Sequence, residues 1–272
     1  MKFTIRYNEV PSNPTIEFAD QILLEAKKVN CTEIESIGGG STIDVGKYVA
    51  FKLDVPHTAI PTTAGTGSEV TKFAVFVKDG KKVSLSDERL IPNNYILDAS
   101  RVVGLDALHT AASGLDALSQ GIESYWAKKA TNDSRYWSKK AIRLASKNLI
   151  DSYDNPNNEY LRLRMLQAAN YSGRAINIAG TSICHAISYA LTTRYEIPHG
   201  IACAHTLPFF IEYFDFKLIE ARVVRRIIKR IKGDIQIKYD IDFVAREAMK
   251  EKRATNTPRV LSLETVKKAL WG

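Results

Sequence analysis

Cysteine is scarce in this 272-residue chain: Cys31, Cys184 and Cys203 stand far apart and form no CxxC pair. That excludes a disulfide framework and a cysteine-rich metal knuckle, and it fits a reducing compartment. Long apolar runs are missing as well. No stretch approaches the roughly 20 residues of a spanning helix, and the start MKFTIRYNEVPSNP lacks the basic-then-apolar layout of a secretory leader. The expectation is a cytoplasmic protein with no membrane partner. Repeats and low-complexity segments are absent too, which removes disorder, collagen and coiled coil from consideration. Nor is there an excess of acid: the net charge is +8, which favours anionic partners such as phosphate esters, phosphonates or nucleic acid.

What is present, 45% hydrophobic and 25% charged residues, is the make-up of a globular protein with room for two domains. Part of the positive charge is concentrated in ARVVRRIIKRIK, residues 221–232. Val223, Val224, Ile227, Ile228 and Ile231 recur there at helical spacing, with Arg222, Arg225, Arg226, Lys229, Arg230 and Lys232 mostly elsewhere around the wheel. A core helix with a solvated basic face is the default reading. Contact with a membrane surface or nucleic acid is the alternative.

The first hundred residues alternate short apolar runs with turn signals. Residues 16–29 have helical spacing, 33–37 read as a strand ending in Gly38-Gly39-Gly40-Ser41, 43–51 as a helix, and 58–60 as a second strand closed by Pro61. This rhythm predicts an α/β part with a parallel sheet over residues 1–104. Beyond it, residues 105–127, 133–150, 159–176 and 181–195 all favour helix, separated by signals such as DNPNNE and EIPHG, which predicts an all-helical domain over 105–272.

Two loops and one set of side chains carry candidate chemistry. In strand-GGGS-helix, glycines let a backbone approach a pyrophosphate, and the first N–H groups of the helix point at it; a plain tight turn is the alternative. The loop TTAGTGSE, residues 62–69, stacks small and hydroxyl residues at the end of the next strand, the edge at which open α/β sheets bind ligands. In the helical half, Asp116 and Gln120 stand four residues apart on one helix face, His185 opens CHAISY, and His199 follows fourteen residues on. One carboxylate, one amide and two imidazoles make an O/N donor set for a divalent ion such as Fe²⁺ or Zn²⁺, although isolated histidines are often structural. His57, His109 and His205 read as structural, and Cys184 as core packing.

GGGSTIDVGK, IPTTAGTGSEVT, LIPNNYILDA, GLDALSQGIESYWA and the run from His185 to Gly200 occur in the order and spacing of the iron-containing alcohol dehydrogenase family, which the chain resembles from about residue 10 to residue 210. The resemblance implies a dehydroquinate synthase-like architecture, with an incomplete Rossmann-like sheet followed by a helical domain. It implies NADH or NADPH in the cleft between the two, on Gly39, Gly40, Ser41 and Asp44, with Thr62, Thr63, Thr66 and Lys82 lining the rest. It places a metal on Asp116, Gln120, His185 and His199, and a homodimer is expected.

The chain departs from the family pattern at three points. Gln120 stands where a histidine is usual, and Tyr189 stands where another histidine is usual, four residues after His185. The family also carries a longer N-terminal region that holds the adenosine half, and Glu35 puts a carboxylate into a strand expected to be buried. Within the family, DALSQ-IESYW and AINIAGTSICHAISYAL resemble the phosphonoacetaldehyde reductases. That implies reduction of a small anionic aldehyde to 2-hydroxyethylphosphonate, with Arg174 as the clamp for the anion and Tyr189 or water as the proton donor. Reduction of another polar or sugar-acid aldehyde, or an inert remnant kept as a binding or dimerisation module, are the alternatives.

Overall fold

The structure is a computed structural model that describes residues 9–232 and 238–271; the Lys232 side chain of the basic segment lies outside the described residues. Helix α1 (Ile16–Lys28) leads into β1 (Ile34–Gly38), α2 (Gly40–Leu53) and β2 (His57–Pro61), followed by a hairpin of β3 (Phe73–Lys78) and β4 (Lys81–Ser86) and a short β5 (Asn94–Tyr95). β1, β2 and β5 pair in parallel in that spatial order, while β3 and β4 pair antiparallel as a separate ribbon. The parallel β-α-β unit is the one the sequence rhythm predicts. The hairpin is not, because its alternation is broken by lysines on both sides of Asp79-Gly80.

Helix α2 starts at Gly40, three residues before the predicted Ile43, so part of the glycine run is already the first helical turn. Glu35 corrects a second expectation. Along β1 only Ser36 is buried, against α2, whereas Glu35 and Ile37 are exposed on the opposite face. β1 is an edge strand covered on one side among the described residues, so its carboxylate is solvated.

From Ala107 onward the described residues contain helices and no strand. α3 (Ala107–Trp126), α4 (Asn132–Asp154), α5 (Glu159–Ala179) and α6 (Ile183–Tyr195) match the four predicted segments to within a few residues. They are followed by α7 (His199–His205), α8 (Leu207–Tyr213), α9 (Ala221–Lys232), α10 (Ile241–Lys250) and α11 (Leu263–Trp271). Each of the long helices starts where a polar side chain caps it: Asp106 for α3, a Thr131–Ser134 capping box for α4, Asn158 for α5. α3 is enclosed by its neighbours, and Leu115, Leu118 and Ile122 at its centre are fully buried, each contributing roughly 1.5–3 kcal/mol. In α9, Val224, Ile227 and Ile231 join this core while Arg222, Arg225, Arg226, Lys229 and Arg230 face outward, with Arg225 held by Glu212 and Arg230 by Asp154. The basic stripe is the solvent side of a core helix. No helix of the described residues is long and apolar enough to cross a membrane.

Candidate active site

The two glycine-rich loops meet at the carboxyl edge of β1 and β2, because those strands are parallel neighbours and Thr62 N–H donates to Gly38 carbonyl (2.9 Å). A Cβ at Gly40 would come within 2.6 Å of Thr66, so the close approach of the loops needs glycine at that position. The N-cap of α2 is Gly39, which offers no side-chain acceptor, and Gly40 and Ser41 open onto a cleft. Free N–H groups at the start of a fourteen-residue helix suit an anion such as a phosphate. The Ser41 hydroxyl itself donates to Ser12 carbonyl (2.7 Å), tying the preceding segment across this end of α2.

That cleft, about 1400 Å³, runs from the loops past β3 and β4 to the helical half, where Asp116, Gln120, His185, Tyr189 and His199 line it. It exceeds the roughly 300–1,000 Å³ of most small-molecule sites and has room for a dinucleotide with a substrate beside it. At its helical end His185 Nε2 lies 3.3 Å and His199 Nε2 3.9 Å from Asp116 Oδ1. His199 reaches Asp116 because α7 packs against α3 with Gly200 between them: a Cβ there would sit 1.7 Å from Ala112 carbonyl and 2.7 Å from Asp116 N.

Two residues that the sequence reading missed complete this cluster. Glu123 is fully buried one turn beyond Gln120 on the same face of α3. Its Oε2 pairs with His185 Nδ1, and its Oε1 accepts from Ser182 Oγ (2.8 Å) and from Cys184 N–H (2.7 Å). α6 has no side-chain cap of its own, so the Glu123 carboxylate both satisfies its first N–H groups and fixes the His185 ring. The i, i+4, i+7 spacing of Asp116, Gln120 and Glu123 was the signal available. The other is Cys203, fully buried on α7, whose Sγ lies 3.7 Å from His199 Nε2. Asp116, His185, His199 and Cys203 bring one donor atom each to within 4.8 Å of one another.

Electrostatics reflect this crowding. Burial pushes Asp116 up, but the hydrogen bond from His185 and the charges of His199, His185 and Lys82 outweigh it and hold the carboxyl below its ordinary range. Burial likewise pushes the Cys203 thiol up, and His185 and His199 reverse that to bring it to about 7. The Lys82 ammonium, 5.3 Å from the centre of the Tyr189 ring, is pushed down by burial. Burial also pushes the Tyr189 phenol up; the Arg253 guanidinium stacks 4.2 Å from the same ring and lines the same cleft.

Not every predicted residue reaches this space. Arg174 is absent from the cleft wall: its Nε donates to Asn170 Oδ1 (3.0 Å), its Nη2 to Tyr95 Oη (2.8 Å), and its plane faces the Trp137 ring. It ties α5 to β5 and is not free to clamp a ligand. Asp44 borders the cleft, yet its carboxylate accepts from Ser68 Oγ (2.5 Å) and Val75 N–H (2.9 Å) and lies 3.6 Å from buried Lys47. It fastens loop and hairpin to α2. Gly39, Thr62 and Thr63 do not line the cleft, while Thr66 and Lys82 do. Gln120 faces it too, with Ser172 Oγ 2.9 Å from its Oε1. The donor set has the chemistry of a divalent-ion site, with one carboxylate and two imidazoles converging and an amide and a thiol alongside. His57, His109 and His205 bond to Ser36, Asp106 and Tyr239 as structural residues do, and Cys184 is packed in the core.

Comparison with known proteins gives one family for both halves of the chain. Residues 1–99 match the family described as iron-containing alcohol dehydrogenase, and residues 110–234 match the C-terminal part of the same family. A phosphonoacetaldehyde reductase of Streptomyces viridochromogenes is 33% identical over 77% of this chain and 60% of its own length. Alcohol dehydrogenase 4 of Schizosaccharomyces pombe is 34% identical over 73% of this chain and 52% of its own. The chain thus spans little more than half the length of these curated relatives. Among solved structures, the sulfoacetaldehyde reductase of Bifidobacterium kashiwanohense in complex with NAD⁺ superposes with a TM-score of 0.90 at 26% identity, covering 97% of this chain and 81% of that one. A 1,3-propanediol oxidoreductase does so with a TM-score of 0.85 at 27% identity, covering 96% and 82%.

Proposed function

The chain belongs to the iron-containing alcohol dehydrogenase family, and from that premise we propose that it serves as a metal-dependent, NAD(P)H-linked reductase of a short aldehyde bearing an anionic group, with phosphonoacetaldehyde as the first candidate. The observation that carries this reading is the convergence of Asp116, His185 and His199 at one end of a cleft whose other end is the glycine-cradled start of α2. Two relatives, one a phosphonoacetaldehyde reductase and one a sulfoacetaldehyde reductase, are named for two-carbon aldehydes with an anionic head, which supports the substrate class.

When bound, a divalent ion held by Asp116, His185 and His199 with Gln120 or Cys203 beside them polarises a carbonyl oxygen, and a reduced nicotinamide supplies hydride. The remaining work falls to the chain's own groups. Glu123 keeps the His185 ring turned so that Nε2 faces Asp116. The N–H groups at the start of α2 favour a phosphate of the dinucleotide there. Tyr189 lines the cleft with its ring 6.2 Å from that of His199 and carries its phenolic proton at neutral pH as any tyrosine does, so its hydroxyl can donate to the alcohol oxygen as the product forms. With Arg174 engaged elsewhere, the cations facing the cleft beside Tyr189 are Lys82 and Arg253, and they suit the phosphonate.

The test is elemental analysis of protein purified anaerobically, coupled to NAD(P)H oxidation with phosphonoacetaldehyde, sulfoacetaldehyde and uncharged propanal. Retained metal with turnover of the charged aldehydes in preference to propanal is expected. Protein that retains no ion when metal-replete and oxidises NAD(P)H with none of the aldehydes would overturn the reading.

A further inference from the structure

We propose that Cys203 coordinates the divalent ion as a thiolate, serving with Asp116, His185 and His199 as a fourth protein donor in preference to Gln120 and leaving a further position open for the carbonyl oxygen. The inference rests on the metal-dependent reading above and sharpens it. In a tetrahedral site with metal bonds of about 2.0–2.3 Å, neighbouring donors stand roughly 3.3–3.7 Å apart. Along the cluster the separations are 3.3 Å from Asp116 Oδ1 to His185 Nε2, 3.9 Å from Asp116 Oδ1 to His199 Nε2, and 3.7 Å from His199 Nε2 to Cys203 Sγ. Two of these edges fall in that range and the third is slightly longer, and all four donor atoms lie within 4.8 Å of one another, so small side-chain adjustments bring them onto one ion.

The local fold explains why the sulfur is there. His199 and Cys203 are four residues apart on α7, so they project from one face. Gly200 lets that helix approach α3 closely enough for the same face to meet Asp116. Cys203 is wholly buried and is not in a disulfide. Gln120 offers less: its Oε1 is engaged with the Ser172 hydroxyl at 2.9 Å, and a neutral amide is a weak donor. Coordination through Cys203 releases the thiol proton to solvent. Two anionic donors, Asp116 and the thiolate, then balance the dication, where Asp116 and an amide balance half of it. A sulfur-containing set also shifts preference toward Zn²⁺ over harder ions.

The experiment loads the full chain with Co²⁺, measures bound cobalt by elemental analysis and records the near-ultraviolet spectrum. Wild type and Gln120→Ala are expected to show thiolate-to-cobalt charge-transfer absorption. Cys203→Ser should lose it and bind Zn²⁺ at least about tenfold more weakly. Should Cys203→Ser fail to fold, X-ray absorption of the zinc-loaded wild type decides, with one sulfur at about 2.3 Å expected among N/O donors at about 2.0–2.1 Å. Bound metal with no sulfur signature overturns the Cys203 assignment and leaves the reductase reading standing. No bound metal at all overturns both.

Discussion

Replacing Glu123 by glutamine removes one buried negative charge at almost constant volume. The carboxylate accepts from Ser182 Oγ and Cys184 N–H and pairs with His185 Nδ1, at a position with no exposure to water. An amide can accept through one atom only, so its NH₂ must face either the His185 N–H or the donors at the start of α6. Hydrogen bonds to a charged group contribute about 1.5–3 kcal/mol each, and breaking a buried charged pair typically costs about 3–5 kcal/mol, so a loss of about 3 kcal/mol of folding stability is expected. Release of the His185 ring should weaken metal binding by about 10–100-fold, equivalent to about 1.4–2.7 kcal/mol. Urea denaturation of the metal-free protein measures the first effect, and Zn²⁺ competition against a chelator measures the second. Glu123→Asp, which keeps the charge on a shorter arm, should fall between the two. A folded Glu123→Gln variant holding Zn²⁺ within twofold of wild type would refute the idea that this carboxylate orients the ligand.

Gly200→Ala should force α7 away from α3, costing about 1–3 kcal/mol or more in stability and most of the metal affinity; a variant with unchanged metal stoichiometry would contradict the close-packing argument. Arg253→Ala should raise KM for the anionic aldehydes by about tenfold or more while leaving KM for propanal nearly unchanged, whereas Arg174→Ala should lower the melting temperature without that discrimination. Buried His57 is pushed down to about 4 by burial and by Lys47, below its ordinary value near 6.5. The unfolded chain therefore takes up a proton that the folded chain refuses, and stability present above pH 6.5 falls by up to about 3 kcal/mol as the pH drops toward 4. Denaturation midpoints across that range should decline less steeply in His57→Asn, and parallel slopes would argue against the assignment.

The family motifs and the coarse fold were legible because both are written in neighbouring residues. Helical spacing, caps such as Asp106 and Asn158, and the glycine run after a short strand depend on local sequence, and the four long helices appear within a few residues of their predicted limits. Arg174 shows the limit of that method. Its place in SGRAIN says that a guanidinium is present on α5, but Tyr95, seventy-nine residues away, is what turns it from the cleft.

Charge, composition and periodicity thus determined the α/β-then-helical order and the types of donor available. The packing of α3, α6 and α7 decided which of them meet: His185 finds Asp116 across sixty-nine residues and Glu123 across sixty-two, and Cys203 joins them only because Gly200 leaves no side chain between two helices. A helix reports its own faces through its period, whereas the partner of each face is chosen by the fit of surfaces that lie far apart along the chain.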